Sequence, residues 1–102
     1  MIIAYKLFRV MKDGSISSLF INKKERYPLN VWMDFQDVPT KGFKQRPGWH
    51  SVAFPYAPHL SEKGRKWFKV GIENIVVEQR PESQGGRWFL SKRLKIIEKI
   101  NI

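Results

Sequence analysis

The sequence contains no cysteine. Disulfides, thiolate zinc sites and cysteine nucleophiles are therefore excluded, and nothing calls for an oxidising compartment. Acidic side chains are scarce too: nine Asp and Glu stand against nineteen Lys and Arg, giving a formal net charge of +10. There are two histidines, His50 and His59. With no cysteine and few carboxylates nearby they lack the spacing of a metal site, and each reads first as a hydrogen-bonded structural histidine. Long apolar runs are missing. Nothing approaches the ~20 residues of a membrane span, and the opening MIIAYKLFRV is broken by Lys6 and Arg9, unlike a signal peptide. A cytoplasmic protein without membrane contact is expected. Neither GxxxxGK[ST], GxGxxG nor Gly-x-Ser-x-Gly occurs, which removes the common nucleotide-binding and hydrolase signatures.

The chain does hold apolar mass, with 42% hydrophobic and 14% aromatic residues in 102. That suffices for a core and argues against wholesale disorder. With no linker, repeat or low-complexity tract, residues 1–102 read as a single domain. Ile3, Tyr5 and Leu7 alternate with Ala4, Lys6 and Phe8 at a strand's period of two, and Asp13-Gly14 then marks a hairpin returning over Ile16 to Ile21. Pro28 to Phe35 suggests one or two helical turns, and Asp37 to Gly48 a long loop. Strands are expected from Trp49 to Phe54, Trp67 to Ile72 and Ile75 to Gln79, the last two separated by a Glu73-Asn74 turn. Ser61 to Arg65 could add a helical turn. Arg87 to Ile100 fits both periods, and its aromatics and isoleucines favour a strand. The fold class expected is α+β: a β-rich domain of five to seven short, mostly antiparallel strands with one or two short helices.

The positive charge is uneven, since residues 41–66 carry six basic residues and one acidic residue, half the net excess. Aromatics interleave with these cations at Lys41-Gly42-Phe43-Lys44-Gln45-Arg46-Pro47-Gly48-Trp49 and Lys63-Gly64-Arg65-Lys66-Trp67-Phe68-Lys69. Cations that neutralise phosphates beside rings that stack on unpaired bases are the equipment of single-strand nucleic-acid binders. Lys41, Lys44, Arg46, Lys63, Arg65, Lys66 and Lys69 are thus candidate nucleic-acid-binding residues. In the competing reading the cations are a solvated face and Trp49, Trp67 and Phe68 are core. A small non-catalytic module that engages nucleic acid or an acidic protein, without a cofactor, fits this composition. A monomer is the simpler expectation, with pairing through an exposed sheet edge as the alternative.

Four stretches, YKLFRV at Tyr5 to Val10, RPGWH at Arg46 to His50, APHL at Ala57 to Leu60 and RPESQGGRWFL at Arg80 to Leu90, together resemble a group of short proteins of bacteriophages and gut bacteria. That resemblance implies a phage or mobile-element setting in a bacterial cell and no particular activity. A second resemblance is to ADP-ribosyltransferase-like domains, compact β-rich folds that bind NAD. In those domains an early strand supplies an Arg or His, a middle strand a Ser, Tyr or His, and a glutamate precedes a late strand. It implies an alternative catalytic set of Arg9, His50 (or Ser51) and Glu82, with NAD as cofactor. Here Gly85 and Gly86 separate that glutamate from the late strand.

Overall fold

The alternation at the N-terminus produces β1 (Ile2–Val10), whose even residues Ala4 and Phe8 enter one core and whose Leu7 enters another. In this computed structural model residues 1–17, 26–35, 48–57, 60–84 and 86–100 are described. The Asp13-Gly14 hairpin forms as its chemistry dictates. Gly14 takes a φ of 86°, its N–H reaches the Met11 carbonyl at 2.9 Å, and the Asp13 carboxylate accepts from the Ser15 N–H at 2.9 Å and hydroxyl at 2.6 Å. These bonds, the hydroxyl first, hold the Asp13 carboxyl below its ordinary pKa. The return strand is β2 (Ile16–Ser17); the rest of its expected span lies outside the described residues.

Three short expectations are corrected. Pro28 to Phe35 is not helical: it holds β3 (Trp32–Asp34), an edge strand on the last strand of the chain. Asn30, at φ 60°, cannot continue a right-handed helix, and the N–H groups of Asn30 and Phe35 bond instead to the carbonyls of Ile96 and Lys92. The strand expected to Phe54 stops earlier, as β4 (Trp49–Val52). Ser61 to Arg65 is a turn at Gly64 (φ 70°), closed by the Arg65 N–H on the Glu62 carbonyl, and it leads directly into β5 (Arg65–Gln79).

No turn interrupts β5 at Glu73-Asn74. The strand runs through all 15 residues, and Asn74 takes its left-handed φ of 57° within it. Asparagine tolerates that conformation, so the residue that signals a turn instead marks a local distortion of a continuous strand. Fully extended, β5 would span roughly 46 Å at about 3.3 Å per residue, yet the molecule's largest dimension is 34 Å. The strand must coil, and the register shift between Lys69 and Val70 adds to its twist. After a 3-10 turn at Glu82–Gln84, β6 (Arg87–Lys99) returns antiparallel, as the apolar pattern there suggests.

The two long strands organise the rest. One edge of β1 pairs with β5, its other edge with β2 and β4; one edge of β6 pairs with β5, its other edge with β3 and β4. β4 thereby joins the far edges of β1 and β6, and the pairings close the circuit β1-β5-β6-β4-β1. The main core contains Phe8, Phe68, Val70, Ile72, Leu94 and Ile96; a smaller one gathers Leu7, Val52, Ala57, Trp67 and Trp88. The fold is thus a compact β-rich domain of six mostly antiparallel strands. Among the described residues it has no α-helix, so the helical part of the α+β expectation is not found. None of their helices is long and apolar enough to cross a membrane.

Candidate polyanion-binding surface

Directly opposed residues of an antiparallel pair project from the same face, which turns the β1–β5 register into a map of neighbours. On the face of the smaller core the successive pairs are Tyr5/Lys69, Leu7/Trp67 and Arg9/Arg65. The last sets two arginines directly opposite each other at one end of the ladder. Like charges so placed repel, and the fold contains no gain from the pairing itself. Arg65 is oriented by its Nη1 donating to the Ser61 carbonyl at 3.0 Å, while among the described residues Arg9 has no hydrogen-bond or ion-pair partner for its side chain. Lys63 is exposed in the turn that precedes Arg65, while Lys66, opposite Phe8 in the register, is exposed on the other face of the ladder. Lys69 is half-buried, with Glu98 its register partner on β6. Of the described candidates, Arg65 and Lys69 therefore share a face with Arg9, Lys63 sits in the adjoining turn, and Lys66 is on the opposite face. Lys41, Lys44 and Arg46 lie outside the described residues.

The aromatic half of the interleaved pattern has another fate. Trp67 and Phe68 are buried and Trp49 packs against the main core, so these rings hold the fold together. Among the described residues the exposed rings are Phe54 and Tyr56, at 76% and 66% of their full accessibility. Both follow β4, on a loop anchored through Ala57 and Leu60 on the smaller core beside Leu7 and Trp67. Together with Val52, Ala53 and Arg87 they line an open cleft of about 280 Å³. Sequence reasoning passed over Phe54, Tyr56 and Arg87; the one available signal was two aromatics flanking Pro55 in a segment too irregular to bury them.

No family model, curated protein or solved structure matches the chain.

A second polar cluster surrounds His50. Its carbonyl accepts from Lys6 Nζ at 2.7 Å, and its Nδ1 lies 3.1 Å from Arg80 Nη2, which makes Nδ1 the acceptor. Arg80 grips the Glu78 carboxylate through Nε and Nη2, both at 3.2 Å, and its guanidinium lies 4.7 Å from the centre of the Trp88 ring. The indole N–H of Trp88 donates to the Gln84 carbonyl at 2.6 Å. Burial above all, and then the Arg80 charge, push the Lys6 ammonium down to about 8. The cluster ties β1, β4, β5 and β6 together at one point. Of the alternative catalytic set, His50 is engaged here, Arg9 faces Arg65 where β5 begins, and Glu82 is exposed on the turn beyond the end of β5. Among the described residues no hydrogen bond or ion pair joins any two of the three. No group of three or more metal-ligating side chains occurs among them either.

Proposed function

We propose that the protein is a small non-catalytic binding module that engages nucleic acid through the cationic end of the β1–β5 ladder. The observation that carries this reading is the direct opposition of Arg9 and Arg65, with Lys63 exposed in the turn just before Arg65. A phosphate between two guanidiniums converts their mutual repulsion into two charge-assisted contacts, and the formal charge of +10 draws a polyanion toward the site. The His50 cluster is read as structural support, since its cations are already turned on Glu78, Trp88 and a backbone carbonyl.

Retention on single-stranded DNA and RNA columns at low ionic strength tests the proposal. Wild type is expected to be retained, and the variant with Arg9 and Lys63 both changed to Gln is expected to elute earlier. Capture by polyglutamate with no retention on either nucleic acid would move the surface to an acidic protein partner.

A further inference from the structure

The cationic pair explains attraction to phosphates but not why two large rings are left in water beside a third cation. Burying a phenylalanine side chain is worth roughly 1.5–3 kcal/mol, a gain that Phe54 forgoes. Instead the Tyr56 N–H bonds to the Phe54 carbonyl at 2.7 Å across Pro55. That is a γ-turn, whose central φ a proline already matches, so both rings are presented on a stiff corner of backbone. Arg87, exposed at the start of β6, completes the lining of the cleft. A volume of about 280 Å³ lies at the lower bound for small-molecule sites and suits one flat ring system. Arg9 and Arg65 lie one same-face pair beyond Leu7 and Trp67, the core residues with which Ala57 and Leu60 of this loop cluster.

We infer that the Phe54–Tyr56 cleft is a base-stacking site, which takes an unpaired nucleobase against its rings while Arg87 holds the adjoining phosphate, and that the nucleic acid bound is therefore single-stranded. Every base has a π-face, whereas in a duplex those faces are occupied by neighbouring bases; stacking platforms consequently select single strands without reading sequence. The inference rests on the nucleic-acid reading of the surface, and it adds a selectivity that charge cannot supply.

The experiment compares a fluorescently labelled oligothymidylate with an abasic oligonucleotide of the same length and charge, by anisotropy at one ionic strength. Wild type should bind the thymidylate about 5- to 150-fold more tightly, the range that stacking of one base gives. Phe54→Ala with Tyr56→Ala should abolish that preference and leave abasic affinity unchanged. Arg87→Gln should weaken both ligands together. Because both rings are exposed, the double variant keeps its fold, and a matching thermal transition verifies it. Equal wild-type affinity for the two ligands overturns the stacking site and leaves the polyanion surface standing. A preference that survives in the double variant also overturns it, since the bases would then be held elsewhere. Binding of neither ligand overturns the inference and the proposed function at once.

Discussion

Lys6 makes the fold's stability depend on pH in the direction opposite to that of a lysine whose pKa an acidic partner raises. Its ammonium donates to the His50 carbonyl at 2.7 Å and lies near Arg80, and its pKa falls from 10.5 to about 8. Because the folded-state value is the lower one, the folded protein releases its proton first on raising pH. Between about pH 8 and pH 10.5 the unfolded chain binds more protons, so stability rises with pH across that window. Below it both states are protonated, and the charged lysine costs the fold about 3 kcal/mol. From pH 7 to pH 10 about 2.5 kcal/mol of that cost disappears. Lys6→Met keeps the chain length and removes the charge. Urea unfolding of both proteins at several pH values should show the wild type gaining on the variant by about that amount, a relative shift of roughly 10–20 °C in melting temperature for a chain this size. Parallel pH profiles for the two proteins would refute the reasoning, because they would mean that the ammonium is as well solvated in the fold as in the unfolded chain.

Three other outcomes follow from particular contacts. Ser91→Ala should be neutral or stabilising by about 1 kcal/mol in chemical denaturation, since the Ser91 hydroxyl is buried without a hydrogen-bond partner and its removal leaves no group unsatisfied. Gly48→Ala should destabilise by at least about 1 kcal/mol, because Gly48 sits at φ 123° and an added Cβ would come within 3.2 Å of Leu90 Cβ and the Ser91 carbonyl. Its thermal transition should fall accordingly. Arg9→Gln should raise stability by a few tenths of a kcal/mol by removing the repulsion from Arg65, while it weakens binding to nucleic acid. Melting and binding measurements moving in the same direction would count against a functional origin for the pair.

What could be read along the chain was local. The β1 alternation, the Asp13-Gly14 turn and the strand character of Arg87 to Ile100 each follow from the preferences of the residues concerned, and the fold agrees with them. What could not be read was set by distant partners. Trp32 to Asp34 becomes a strand because β6 offers it a free edge, and Glu73-Asn74 makes no turn because β6 pairs with β5 on either side of Asn74, at Glu73 and at Ile75. The candidate surface divides in the same way. Charge composition located Lys63 and Arg65, but only the register reveals that Arg9 stands directly opposite Arg65. The aromatics nearest those cations in sequence turned inward, since a tryptophan in a central strand contributes more to a core than to solvent, and the exposed rings came from a proline-bound loop instead.

The central claim is that opposed arginines at the end of the β1–β5 ladder hold phosphates, and the salt dependence of binding measures it most directly. Contacts from Arg9, Lys63 and Arg65 to a single strand predict that log K falls against log salt with a slope of about −2, and that Arg9→Gln with Arg65→Gln brings it to about −0.7. A wild-type slope near zero, or one that the double variant leaves unchanged, would contradict the account.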